Sequence, residues 1–275
     1  MKNSAGKQIV VYTTLVLLLV FALFPLYWMI VTSFKSNGEI YSMTPSFWPE
    51  SFSGTAYDKL IHEKDFLINI KNSLIVSLVV SLFSIIVSML AAYAISKLHF
   101  RGKGLISKSI LYAYLMPRAV LFIPLYMVVT LLGASNSIYG LMLIYPTITI
   151  PYATWMLISY FKSIPTEIEE AAMIDGCSRV STMLKIIFPL SAPGIAATFI
   201  FSFTLCWSEY LYALVVITKG TDKTITLGLS DMIVGDVFAW GPLMGGSIIA
   251  SVPVIIMYLF TSKYMVSGMT VGGVK

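Results

Sequence analysis

Charge is what this sequence has least of. Only 11% of its 275 residues are Asp, Glu, Lys or Arg, against roughly a quarter in an ordinary soluble domain. Hydrophobic residues make up 57% and the mean hydropathy is +0.86, so a water-soluble fold is excluded and an integral membrane protein expected. Cysteine and histidine are almost as scarce. Cys177, Cys206, His62 and His99 lie far apart in no ligand spacing, which argues against a disulfide framework and a metal site. A nucleotide-binding GxxxxGK[ST] run is missing in every frame, and the glycines near Lys103 and Lys223 have the wrong spacing. By that route the chain cannot hydrolyse ATP, so it is not expected to be an enzyme itself. The net charge of +5 raises nucleic acid as a partner, and the placement of the basic residues decides that question.

What the sequence does have is long apolar runs. Residues 9–34 follow Lys2 and Lys7 and resemble a secretory signal until their length is counted. About 25 residues suffice to cross a bilayer, and no small-x-small cleavage site follows, so an uncleaved anchor after a cytoplasmic 1–8 is expected. Residues 35–70, with Pro45, Trp48 and Pro49, read as an external loop. The second span, 71–96, opens on Asn72-Ser73 and carries Ser77, Ser81, Ser84, Ser88, Ala91, Ala92 and Ala94, small residues that favour close helix packing. A basic loop, 97–108, leads to a third span at 109–131 with Pro117, Arg118 and Pro124, then a fourth at 138–161 with Pro146 and Pro151. Prolines free backbone carbonyls that neighbours must satisfy, so these two helices are expected to face protein. A polar segment, 162–189, precedes a fifth span at 190–217. The loop 218–243, with Gly220, Gly228, Gly235 and Trp240, a sixth span at 244–264 and a tail at 265–275 complete an all-α transmembrane domain whose core is 71–264.

The basic residues test this map. Lys2, Lys7, Lys97, Arg101, Lys103, Lys108, Lys162, Arg179, Lys185, Lys263 and Lys275 fall inside, eleven of the eighteen; six fall outside, and Arg118 lies in the membrane. Acids run the other way, four inside and eight outside, with Glu209 in or near the membrane. Both termini and 162–189 are therefore expected in the cytoplasm. The basic excess reports topology, and nucleic acid is dropped.

The segment 164–189 is one of the few polar runs. Thr166 with Glu169 three residues later reads as a capping box, and Glu167, Glu169 and Glu170 suit the positive end of a helix. Ile168, Ala171 and Ala172 form a small apolar face, and Gly176 can end the helix in a left-handed conformation. Ser178 can cap a second helix with Val180, Leu184 and Ile187 on one stripe before Pro189 and Pro193. The order Glu170-Ala171-Ala172, three residues, Gly176, nine residues, Ile186-x-x-Pro189 resembles the EAA loop of binding-protein-dependent ABC importer permeases. Phe188 stands where that family usually has Leu.

The resemblance extends over nearly the whole chain. Asn72-Ser73, Met116-Pro117, Ile123-Pro124-Leu125-Tyr126, Trp207-Ser208-Glu209-Tyr210-Leu211 and the tail from Lys263 to Lys275 are similar to the carbohydrate-uptake branch, in particular its maltose-type six-helix subunit. Ser208 replaces the family's usual Asn. What the resemblance implies is a type I ABC importer permease fold with a cytoplasmic EAA coupling hairpin. Glu167, Glu170, Ala171, Ala172, Asp175, Gly176, Ile186 and Pro189 would contact the ATPase, and the tail would reach the ATPase interface. The loop 218–243 would enter the sugar-binding protein. The implied partners are a homologous but different permease, two ATPase subunits that bind the ATP, an extracytoplasmic solute-binding protein, a sugar and the bilayer. No cofactor of its own is implied, and the location would be a bacterial or archaeal plasma membrane.

Arg118 and Glu209 are charges within helices, which normally face a cavity or a partner. With Trp207, Tyr210 and Tyr212 they are candidates for the substrate path. For Glu209 a helix end near external water is the competing reading, because about 20 residues into its span it stands some 30 Å from the inner surface. Permeation of a non-sugar solute keeps the same hairpin. An ion-coupled secondary transporter would need mid-membrane carboxylates and repeats, and a membrane enzyme would need clustered His, Asp or Cys. The sequence offers neither set.

Overall fold

The computed structural model describes residues 5–62, 65–218, 220–234 and 237–271. Lys2, Lys64, Lys219, Gly235 and the last four tail residues lie outside that set. The contacts divide the chain into two units, residues 1–67 with 228–252, and residues 68–227 with 253–275.

In the first unit, α1 (Ala5–Ser33) carries an apolar window none of which is buried within the chain, as suits a helix whose surroundings are lipid or another subunit. Its end is tied down by local contacts. Ser33 Oγ lies 2.9 Å from Tyr57 Oη, and the ring of Phe34 packs on that of Tyr57 at 5.2 Å. Two short helices follow, α2 (Asn37–Ile40), capped by the Ser36 hydroxyl on Glu39 N, and α3 (Thr55–His62). Much later in the chain β1 (Ile233–Val234) and β2 (Val237–Phe238) pair antiparallel, with Ile233 opposite Phe238. Tyr41 donates its hydroxyl to the Phe238 carbonyl, joining the two ends of the unit.

The second unit is built on α4 (Phe66–Lys97). Ser73, Ser77, Ser81, Ser84 and Ser88 are all but fully buried along one stripe, whereas Leu82, Phe83, Ile86 and Leu90 on other faces are exposed. The expectation of close packing through small side chains holds. The serines also supply polar contacts that a membrane interior rewards: Ser84 Oγ lies 2.6 Å from Thr149 Oγ1, and Ser88 donates to the Ile150 carbonyl at 3.2 Å. Asn72 and Ser73 hold the segment after residue 217. Asn72 Nδ2 donates to the carbonyls of Thr221 and Lys223, and Ser73 accepts from Ile225 N at the start of α14 (Ile225–Ser230).

Where a third span over 109–131 is expected, the chain makes α5 (Lys103–Leu115) and α6 (Arg118–Leu131), bent by 98°. Pro117 forces Met116 into an extended conformation (φ −64°, ψ 133°), so the helix stops before it. The fourth span runs as α7 (Ile138–Ile144) and α8 (Pro146–Ser163), which together are long enough to cross a membrane, with Pro146 at the first turn of α8 where its missing N–H costs nothing. The expected fifth span, 190–217, is also interrupted. It comprises α12 (Ala192–Trp207) and α13 (Leu211–Val216). The last helix, α15 (Trp240–Val271), starts ahead of the expected 244 and continues through most of the tail.

α12 packs on α8, and the contact is close because Gly194 faces the Tyr160 ring; a Cβ there would lie 2.4 Å from Tyr160 Cγ. Two apolar clusters form: one at Val76, Val129, Leu141, Tyr145 and Val216, the other at Ala92, Leu157, Phe161 and Ile187. Among the described residues, four helices are long and apolar enough to cross a bilayer, and up to six segments qualify when each bent pair counts as one span.

Candidate functional site

The hairpin at 164–190 begins with α9 (Thr166–Ile174). The expected capping box does not form: Pro165 occupies the cap position, Thr166 is already helical, and no side chain caps the first turn. Glu169 is diverted to a different partner, a lysine from another helix. Lys97, the last residue of α4, places Nζ 2.9 Å from Glu169 Oε1 and donates to the Ile164 carbonyl at 2.7 Å. The lysine side chain is 3% exposed and the glutamate 13%. One ammonium thus joins the end of α4, the end of α8 and the first turn of α9.

Gly176 closes α9 as the sequence suggests. It sits at φ +85°, Gly176 N donates to the Met173 carbonyl at 3.1 Å, and Cys177 N donates to the Ala172 carbonyl at 3.0 Å. That bond pair is a Schellman ending, which satisfies carbonyls the helix would leave open. Ser178 then caps α10 (Arg179–Thr182), accepting from Ser181 N at 3.2 Å. The chain continues through a π-helical turn, Met183–Ile187, into α11 (Phe188–Leu190). Pro189 has no N–H to offer the Lys185 carbonyl, and a widened turn accommodates that loss.

The wide turn also corrects the expected stripe of Val180, Leu184 and Ile187. Only Ile187 is buried; Val180 and Leu184 face out. In α9 the small residue Ala172 is buried while Ile168, Ala171, Met173 and Ile174 are exposed, Ile174 by 86%. Glu167, Glu170, Asp175, Gly176 and Pro189 are exposed as well, and Ile186 is half-buried. The two helices therefore present an outward surface of apolar residues flanked by acids, on a seat fixed from beneath by Lys97. Lys97 escapes the sequence reading except as a topological marker, since nothing in its local pattern announces a partner 72 positions away.

The five residues expected along a substrate path separate into different environments. Glu209 is 7% exposed, and its carboxylate accepts from Tyr212 N at 3.1 Å, Ala213 N at 3.2 Å and Tyr145 Oη at 3.1 Å. It caps α13, supplying the acceptors that restart a helix after the break at 208–210. Tyr212 is buried, and its hydroxyl donates to the Arg118 carbonyl at 3.2 Å. Trp207 is 5% exposed and stacks on Phe203. Arg118, the first residue of α6, and Tyr210 are exposed on this chain. Arg118 and Tyr212 share a small recess with Tyr114 and Thr147, of about 20 Å³, too small for a sugar ring. Among the described residues no group of three or more His, Cys, Asp or Glu could hold a metal ion.

Comparison with known proteins places this geometry. Residues 84–265 match the family described as binding-protein-dependent transport system inner membrane component. The chain is 35% identical over 266 residues to the inner membrane ABC transporter permease protein YcjP of Escherichia coli K12, covering 96% of this chain and 95% of that one. It is 34% identical to the trehalose/maltose transport system permease protein MalG of Thermococcus litoralis, covering 100% and 99%. In fold it is similar to a chain of a bacterial ABC transporter involved in import of the acidic polysaccharide alginate, at a TM-score of 0.78 and 24% identity, covering 96% and 99%. With a family match spanning most of the sequence and relatives at 35% and 34% identity over nearly all of it, the chain belongs to the family of binding-protein-dependent transport system inner membrane components.

Proposed function

We propose that this chain is a permease subunit of an ATP-driven importer for a sugar or oligosaccharide, crossing the membrane six times with both termini in the cytoplasm. It forms half of the translocation path, and a homologous but different permease forms the other half. Two ATPase subunits bind and hydrolyse the ATP, and an external solute-binding protein delivers the cargo. The observation that carries this reading is the outward surface of the hairpin. Ile168, Ala171, Ile174, Val180 and Leu184 are exposed together beside Glu167, Glu170 and Asp175, a composition that fits an apolar interface core with a charged rim. Because Lys97 fixes α9 to the ends of α4 and α8, a push on the hairpin moves helices rather than a loop. Alternating access follows: closure of the ATPases drives the hairpins together, the cavity opens outward, and hydrolysis resets it.

The sugar class rests on the relatives, of which one is a trehalose/maltose permease. The test is to purify the tagged chain from its native membrane, identify what accompanies it, and reconstitute the assembly with its binding protein. ATP-dependent uptake of a sugar, with a second permease and an ATPase in the complex, is the expected result. A lone chain that transports under an ion gradient without ATP overturns the reading.

A further inference from the structure

The first unit carries an exposed aromatic patch that none of the above uses. After α2 the chain turns back along the end of α1. Tyr27 donates its hydroxyl to the Phe47 carbonyl, Lys35 Nζ donates to the Ser46 carbonyl, and the Phe47 ring meets the Trp28 ring edge-on at 5.9 Å. A second tie follows where Ser53 N donates to the Phe34 carbonyl at 2.8 Å and the Phe52 ring lies 6.1 Å from Phe34 and 5.7 Å from Trp48. The side chains of the loop nevertheless face outward: Phe47 is 64% exposed, Trp48 63%, Phe52 67% and Met43 entirely. Glu50 is the one charged residue between 41 and 52.

By composition such a patch suits a protein or a lipid partner, and its depth along α1 points to the bilayer. From Lys7 to Trp28 the helix rises about 30 Å, the thickness of a hydrocarbon core. With the charged Lys7 at one boundary, Tyr27 and Trp28 reach the other, and Phe47 is held at their level. From Tyr27 to Ser33 the helix rises about 9 Å more, comparable with the roughly 5–8 Å of one polar layer, so the ties at Phe47 and Phe52 bracket that layer. The backbone gives the same depth. Residues 41–54 form neither helix nor strand, so their amide groups need water or headgroups, which bars them from hydrocarbon and admits them to the polar layer. Tyr41 and Trp48, each a polar tip on an apolar body, are residue types that layer favours. The patch also continues through Trp28 to Phe24, 6.1 Å from it and exposed on α1, whose apolar window nothing in this chain buries.

We propose that residues 41–52 are a membrane-interface anchor, in which Met43, Phe47, Trp48 and Phe52 insert among the headgroups and upper acyl chains of the external leaflet and fix the depth of α1. It rests on the reading of the chain as a permease, in which α1 crosses the bilayer and residues 35–70 face outside. The partner is the lipid surface, and the ties to Tyr27, Lys35 and Phe34 are what hold the rings at its level.

The test replaces Met43 or Trp48, by amber suppression, with an environment-sensitive naphthyl amino acid in the whole transport complex. The complex is held without its binding protein in nanodiscs of phosphatidylcholine brominated either near the headgroup or near the chain end. Shallow bromines are expected to quench the probe about twofold more than deep ones, as suits a group at the headgroup–acyl boundary, and iodide in solution to quench it little. Quenching by iodide and not by lipid places the patch in water, where a binding protein would dock on it, and overturns the anchor. Quenching by neither places it under the second permease and overturns the anchor equally, as does stronger quenching by the deep bromines. ATP hydrolysis at the wild-type rate shows that each variant assembles. Met43 is fully exposed and has no packing to lose, so its variant carries the test if the Trp48 variant fails to assemble. ATP-driven sugar uptake is measured in parallel on wild type with its binding protein. Its presence keeps the importer reading whatever the probes report, and its absence removes that reading separately.

Discussion

Glu209 shows how one residue can carry a helix. A carboxylate in a membrane segment suggests a polar pathway, yet both of its oxygens are consumed by Tyr145 and by the first free N–H groups of α13. Glu209→Ala should therefore destabilise the protein by about 1–3 kcal/mol through orphaned N–H groups. Glu209→Gln, which keeps an acceptor, should cost less, and thermal unfolding of the purified complex measures both. Sugar uptake lost at full stability would instead assign Glu209 to the path. Lys97 and Glu169 make a second case. Removing one member of a buried ion pair costs about 3–5 kcal/mol, whereas replacing both with apolar residues is often neutral. Lys97→Met should loosen the hairpin and leave ATP hydrolysis running with little uptake, and adding Glu169→Met should restore part of the coupling. Uptake per ATP in liposomes is the measurement, and equal ratios in single and double variants would count against the latch.

At the scale of elements, glycines and prolines decide the shapes. Gly176 sits at φ +85°, and a Cβ added there would meet nothing within 4 Å, so a substitution is penalised by backbone conformation alone. Gly176→Val should cost about 1–2 kcal/mol and reduce coupling, while Gly176→Asn, which tolerates the left-handed region, should retain most uptake. Gly194 is the opposite case, with an ordinary helical backbone and no room. Gly194→Ala should push α12 from α8 and lower stability by about 1–3 kcal/mol, read as a reduced unfolding temperature. The hairpin's turn was legible locally because Gly176 and Ser178 act within five residues. The capping box was not, because Glu169 had a stronger long-range partner in Lys97. Likewise a proline announces a break but not its angle, and the 98° at Met116-Pro117 depends on what the freed ends pack against.

For the whole molecule, hydropathy marks the apolar segments, since the cost of burying charge in lipid acts on each residue wherever it folds. α1 has none of its apolar window buried within the chain, so partner or lipid must cover it. In the purified assembly, cross-linking from cysteines introduced on its exposed face, such as Leu18→Cys, should report lipid or the second permease and no residue of the ATPase. What the sequence by itself determined is the membrane class, the apolar segments and the Glu-Ala-Ala hairpin, because period, length and local caps act over a few residues. Tertiary structure alone decided that Lys97 reaches Glu169 to seat the hairpin, and that Tyr145 donates to Glu209 from 64 positions away. Those depend on distances between segments far apart in the chain, and no local pattern encodes them.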